Sequence, residues 1–214
     1  IVNNGSMLRR SKDDEVLFSQ YLNVNDLRVL LQEGINLDLH PIIHVDHYKE
    51  NCDIILCKEG NLKKNYSEYL KDNTRYRMIE DYSKGIDKVL AMVYPGSKEE
   101  LNYFNKYINK NFPGKFSIHI IENVNMAEAI LEVMHPMVNK WTCLERYANW
   151  QGIDLDKIIA IGDDNNDIEM IKNSGLGIAM KNGGIMVKSA ADLITERDNN
   201  KSGVALELKR VLNL

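Results

Sequence analysis

Short apolar runs alternate with amphipathic stretches through the last third of the chain. Lys157-Ile158-Ile159-Ala160-Ile161 is an apolar run bounded by polar residues. It predicts a buried strand of the kind found in parallel sheets. The run ends at Gly162-Asp163, and residues 166–173 then predict a short helix that stops before Gly175. Residues 176–180 predict a second strand, 184–189 a short helix and 192–194 a brief third strand. Val204, Leu208, Val211 and Leu212 recur at helical spacing and predict an amphipathic closing helix. Upstream, Trp141, Leu144, Tyr147 and Ala148 give another helical stripe. Helix and strand alternate throughout, so a parallel sheet with right-handed crossovers is expected.

The middle of the chain follows another pattern. Strands are predicted at 41–48, 88–94, 115–121 and 128–134, the last two as a hairpin around an Asn-containing turn. Helices are predicted at 61–70 and 97–110, the second carrying Leu101, Phe104 and Ile108. This describes a mixed α+β domain inserted into an α/β domain. Residues 1–17 and 137–214 form the parallel-sheet domain in this reading, and 18–136 the insertion. Arg75-Tyr76-Arg77 reads as a solvated loop. Ile1-Val2 runs straight into the turn signal Asn3-Asn4-Gly5, which predicts the end of a strand whose beginning lies outside the sequence.

Composition narrows the class. A chain of 214 residues makes one large domain or two small ones. With 44% hydrophobic and 27% charged residues, it is neither disordered nor low-complexity. The net charge is −4 and no basic stripe is present, so nucleic acid is not an expected partner. No apolar run approaches the roughly 18 residues of a membrane span, so no membrane partner is expected either. Cys52, Cys57 and Cys143 are odd in number and lack C-x-x-C spacing. They read as reduced thiols of a cytoplasmic protein.

The segment with chemistry is Gly162-Asp163-Asp164-Asn165-Asn166-Asp167. Ligands of open parallel sheets bind beyond the carboxyl ends of the strands, where Asp163 falls. Asp167 follows four residues later, at the expected helix start. Two carboxylates so spaced suit Mg²⁺, which takes one or two of them and completes its shell with water and phosphate. The helix start would add free backbone N–H groups and Asn166 an amide donor, both facing an anion. The same segment also fits a polar loop with a helix cap. Lys140 opens the preceding helix, where the dipole disfavours a cation. It therefore calls for an anionic partner, either a phosphate or a carboxylate nucleophile; an exposed lysine at a frayed helix end is the plainer alternative. Elsewhere, His40, His44, Asp46 and Tyr48 share strand parity and could contact a substrate or bind a transition metal; a half-exposed polar face is the plainer reading. His119 and His135 read as structural.

Together, Lys140, Gly162-Asp163-x-x-Asn166-Asp167, Ile178-Ala179-Met180-Lys181-Asn182-Gly183, Ala191-Asp192 and Ser202-Gly203-Val204-Ala205 resemble the C-terminal half of the haloacid dehalogenase superfamily. The similarity is to its Cof-type phosphatase group, whose cap domain is inserted between the second and third motifs. It runs from about Leu131 to Leu214, with Val2-Asn3-Asn4-Gly5 resembling the Asn-Gly turn before the cap. Trp141 and Gly183 depart from the usual residues, and Trp141 could narrow the site.

The resemblance implies a Rossmann-like core with an inserted α+β cap. It implies an Mg²⁺-dependent phosphatase of small phosphorylated metabolites, such as a sugar phosphate, a nucleotide or a cofactor phosphate. Asp163 and Asp167 would hold Mg²⁺, and Lys140 would pair with the nucleophile and the phosphate. Asn166, Asn182, Asn4 and Gly5 would orient or contact phosphate. The family's nucleophile lies in a D-x-D-G-T segment. Asp154-Leu155-Asp156, followed by Lys157, precedes a strand and reads as a loop. The nucleophile is thus expected upstream of Ile1, and the chain alone is expected to be inactive. Two alternatives stand: a non-catalytic protein that keeps the metal site to bind a phosphorylated ligand or a partner, and a phosphomutase.

Overall fold

The computed structural model describes residues 1–58, 70, 71, 73–124 and 127–214. The helix expected at 61–70 lies, apart from Leu70, outside them. The chain divides into two compact units, one of Val2 and Ser6–Val138, the other of Ile1, Asn3–Gly5 and Asn139–Leu214.

The larger unit opens with an antiparallel pair, β1 (Met7–Arg9) and β2 (Val16–Ser19). Helix α1 (Val24–Asn36) follows, capped by the Asn23 side chain, which accepts from Asn25 N. Leu27, Leu30 and Leu31 form its buried stripe, and Gly34 lets Tyr94 approach: a Cβ there would lie 2.9 Å from the ring. Strands β3 (Ile42–His47), β4 (Cys52–Cys57), β5 (Tyr76–Ile79) and β6 (Val89–Gly96) come next. Helix α2 (Lys98–Asn111) and strands β7 (Ser117–Val124) and β8 (Ala127–Met134) complete the unit. The six strands β3–β8 form one sheet, ordered β5-β4-β3-β6-β8-β7 and antiparallel except between β4 and β5.

Alternation along these strands sends residues to two faces. Ile43, Val45, Tyr94, Leu131 and Val133 join Leu27 and Leu30 of α1 and Phe104 of α2 in the main apolar cluster. Ile42, Ile54, Leu56 and Val93 form a smaller cluster. Phe104 meets Tyr94 edge to face at 5.1 Å.

Several features depart from expectation. Arg75-Tyr76-Arg77 is no solvated loop; Tyr76 and Arg77 begin β5, which pairs in parallel with β4 at the sheet edge. The charged neighbours that made the segment look solvated are tied down, Arg75 by Asp53 and Arg77 by Glu50. Helix α1 and strands β1, β2 and β4 were not anticipated, although Asn23 before Leu27-x-x-Leu30-Leu31 is a helix-start signal. The closing turn of the predicted hairpin, 125–126, lies outside the described residues, while β7 and β8 pair as expected.

The smaller unit begins with the tight turn Asn3–Gly5, where Asn3, Asn4 and Gly5 all have positive φ. It continues with helix α3 (Lys140–Gln151), β9 (Ile159–Gly162), α4 (Ile168–Asn173), β10 (Leu176–Ala179), α5 (Ile185–Ala190), β11 (Leu193–Ile194) and α6 (Gly203–Leu212). The three strands form a parallel sheet in the order β11-β10-β9, as the alternating pattern requires. Asp154 caps a 3-10 turn over Leu155–Lys157, so Asp154-Leu155-Asp156 is turn structure. In α6 the expected apolar stripe is only partly covered, with Leu208 and Val211 half-buried. Val204 and Leu212 are exposed, whereas Gly203 and Glu207 are buried. Gly203 packs so closely on the Arg197 carbonyl that a Cβ would lie 2.2 Å from it. Glu207, one turn on, shares that face. Among the described residues, no helix is long and apolar enough to cross a membrane.

Candidate active site

Strand β9 ends at Gly162, and the chain folds back at once through a 3-10 turn, Asn165–Asp167, into α4. Gly162 permits this return, since a Cβ there would lie 2.4 Å from that of Asp167. The carboxylate of Asp167 comes back over the strand end. Its Oδ2 accepts from the backbone N–H of Asp163 at 3.0 Å and of Asp164 at 3.2 Å. Asp164 in turn caps the turn reciprocally with Asp167.

Lys140 is the first residue of α3, after the cap Asn139. Its Nζ lies 2.5 Å from Asp167 Oδ1. Its partner among the described residues is thus the Asp167 carboxylate, which is not the nucleophile. Asp167 is buried and Lys140 is 29% exposed, so the pair is only partly screened by water. Asp163 is exposed. Its Oδ2 accepts from Asn182 Nδ2 at 3.0 Å.

The backbone N–H groups of Asp163 and Asp164 are not left open for an external anion, because the Asp167 carboxylate takes both. The Asn166 amide donates to Asn4 Oδ1 at 3.0 Å and so ties the Asn3–Gly5 turn to the site. Asn166 Oδ1 is buried without a partner among the described residues. Gly5 serves close packing, since with φ 105° a Cβ there would lie 2.3 Å from the Asn139 carbonyl oxygen. Trp141 is buried.

The structure thus brings Lys140, Asp167, Asp163 and Asn182 into one hydrogen-bonded chain and sets Asn166 and Asn4 beside it. Sequence reasoning did not include Asp164, which caps the turn, or Asn199, whose N–H donates to Asn182 Oδ1 at 3.0 Å. Asp at a turn start is a recognisable cap signal. A backbone donor such as Asn199 N–H leaves no trace in residue type.

In the larger unit, Asp46 is engaged by Arg9 at 3.1 Å and by the Tyr21 hydroxyl at 2.6 Å. The Tyr48 ring lies between the guanidinium groups of Arg9 and Arg75, at 3.9 and 4.1 Å. Arg9, Asp46 and Tyr48 line a cleft of about 650 Å³. Burial lowers the His44 imidazole to about 4, so it is neutral at physiological pH. His40 and His47 pair with Asp38 and Asp87. Among the described residues, no three His, Cys, Asp or Glu side chains gather to hold a metal ion.

A metal at the β9 end would thus rest on few protein ligands. Mg²⁺ needs only one or two carboxylates, and Asp163 offers one that is exposed, with Oδ1 taking no hydrogen bond among the described residues. Asp167 already has both oxygens engaged. The residues present fit an ion held mainly through Asp163.

Fold and site define an α/β protein of Rossmann-like type with an acidic, lysine-bearing site at the carboxyl end of its parallel strands. Residues 1–208 match the family model of the haloacid dehalogenase-like hydrolases, and the chain belongs to that family. The expected Cof-type membership of the superfamily holds. YxeH of Bacillus subtilis is 27% identical over 207 residues, which cover 96% of this chain and 72% of that protein. A second Bacillus subtilis protein, the 5-amino-6-(5-phospho-D-ribitylamino)uracil phosphatase YitU, is 36% identical over 85 residues, 40% of this chain and 31% of its own length. Among solved structures, a haloacid dehalogenase-like hydrolase from Bacteroides thetaiotaomicron gives a TM-score of 0.77 at 23% identity, covering 97% of this chain and 74% of its own. A subclass IIB sugar phosphatase of the superfamily also gives 0.77, at 20% identity, covering 99% and 74%. Both likenesses concern the fold.

Proposed function

We propose that the chain belongs to an Mg²⁺-dependent phosphatase that hydrolyses the phosphomonoester of a small metabolite, such as a sugar phosphate. The observation that carries this reading is the Lys140–Asp167 pair beside the exposed Asp163 carboxylate at the end of β9. The phosphatase YitU and the sugar phosphatase of like fold support the substrate class. In this reading the smaller unit is the catalytic core, and the larger one, spanning the 18–136 insertion, is the cap that selects the substrate.

Each residue then has a physical task. An ammonium group has three N–H donors, and Asp167 occupies one on Lys140, leaving two for phosphoryl oxygens. Asp167 holds that ammonium in place against the unfavourable helix dipole. Asp163 would hold the ion, with Asn182 fixing the orientation of its carboxylate. Bound Mg²⁺ supplies charge neutralisation at the phosphoryl oxygens. The nucleophile would be an aspartate carboxylate that attacks phosphorus and expels the alcohol; water then hydrolyses the aspartyl-phosphate. No D-x-D of these 214 residues follows a strand, so the reading takes that aspartate from outside them, and the 214 residues alone should give no turnover.

The test is hydrolysis of p-nitrophenyl phosphate by the protein with its nucleophile segment, with Mg²⁺ and with a chelator. Chelation should abolish the rate. Asp163→Ala and Lys140→Ala should each lower it on the order of 100-fold or more, as for loss of a group that stabilises transition-state charge. Full activity in both variants sinks the proposal.

A further inference from the structure

Asn182 is held from two directions. Its backbone follows Lys181, whose N–H donates to the Thr195 hydroxyl at 2.9 Å. Thr195 is only 2% exposed, and its hydroxyl donates onward to the Arg197 carbonyl at 2.6 Å. Lys181 Nζ also reaches the Glu196 carbonyl at 3.2 Å. On the side-chain end, Asn182 Oδ1 accepts from the N–H of Asn199 at 3.0 Å, while Nδ2 donates to Asp163 Oδ2 at 3.0 Å.

This arrangement fixes the amide by chemistry. A backbone N–H can only donate, so the amide oxygen must face Asn199. The amide nitrogen then faces Asp163, whose carboxylate can only accept. The loop that presents Asn199 is itself closed tightly. Gly203 N and Lys201 N both donate to the Asp198 carbonyl at 3.1 Å, and Gly203 leaves no room for a Cβ against Arg197.

We propose that the backbone N–H of Asn199 is a positioning donor, which locks the Asn182 amide and through it sets the Asp163 carboxylate with Oδ1 turned to the metal. The proposal rests on the reading of Asp163 as the metal-binding carboxylate. It assigns the 195–203 loop a part in metal affinity, although none of its side chains reaches Asp163.

Proline provides the test, because it removes an N–H and little else where its backbone is accepted. Asn199 is the first residue of a 3-10 turn, and Asp198 before it is extended at φ −78°, ψ 176°. Both conditions suit proline. Mg²⁺ affinity is measured by calorimetry on the protein with its nucleophile segment, alongside the thermal midpoint. Asn199→Pro should weaken Mg²⁺ binding about fivefold, the worth of one neutral hydrogen bond, with the midpoint unchanged. Asn199→Ala keeps the N–H and should bind like the parent. Asn182→Ala loses both bonds and should weaken binding by about tenfold or more. Parental affinity in Asn199→Pro or in Asn182→Ala overturns the positioning role. So does an Asn199→Ala variant as weak as the proline one. Asp163→Asn reads the underlying assignment: it should abolish binding. If it binds like the parent, or if the parent binds no Mg²⁺, the metal reading fails and the positioning role falls with it.

Discussion

The two units hold themselves together by different means. The larger one buries long side chains from two helices and both faces of a six-stranded sheet, Phe104, Tyr94, Leu30 and Leu131 among them. The smaller one has a modest apolar cluster around Ile171, Ala179 and Val187. It relies instead on close backbone approaches and on side chains that take backbone N–H groups. Gly177 packs its backbone on the Ile171 carbonyl and donates to Asp192 Oδ2 at 2.8 Å. Asp167 takes two N–H groups, and Thr195 takes one. Packing tolerates a change of shape by repacking, whereas a fixed set of short polar contacts does not. The second kind of construction suits a site that must keep charged groups in one geometry.

Substitutions can break this contrast, beginning with the largest effect. Phe104→Ala should cost about 3–5 kcal/mol of stability in denaturant unfolding, the usual penalty for emptying a well-packed aromatic site. A loss near zero would mean that the larger unit does not depend on its apolar cluster. Gly177→Ala should cost about 1–3 kcal/mol by overpacking, since its Cβ would lie 2.1 Å from the Ile171 carbonyl oxygen. An unchanged midpoint would remove the case for close approach in the smaller unit.

A pH series sharpens the comparison next. Burial lowers the folded-state His44 from 6.5 to about 4. The unfolded chain therefore binds the extra proton first as pH falls. The stability linked to neutral His44 is present above pH 6.5 and is lost progressively towards pH 4. His44→Gln should flatten the decline in thermal midpoint across that window, and an equally steep decline refutes the assignment. The smallest effect is at Ser97, which caps α2 in a reciprocal box with Glu100. Ser97→Ala should cost about 1 kcal/mol, visible as a small drop in the denaturation midpoint with no change in Mg²⁺ affinity.

The same contrast explains what could be read from residues alone. The parallel strands and their motif were legible because an apolar run, a Gly-Asp end and a short helix recur in order. Lys140, Asp163, Asp167 and Asn182 converge as that order suggests. The bonding within the site was not legible. An aspartate at a helix start looks the same whether it ligates a metal, caps a turn or pairs with a lysine, and Asp167 does the last two. In the larger unit, β5 was hidden by arginines whose partners, Asp53 and Glu50, are distant in sequence. Helix α1 was obscured by Gly34, a residue that weakens helices but here makes room for Tyr94.

The return of Asp167 over the end of β9 bears on which inhibitors the site should admit. The amides of residues 163 and 164 are already taken by the protein's own carboxylate. Oxyanions that bind only through bare amides gain nothing there. On the proposed reading, a competitor would have to meet the Lys140 ammonium or an ion held by Asp163, so anions that bind through amides alone should compete poorly with a phosphate monoester.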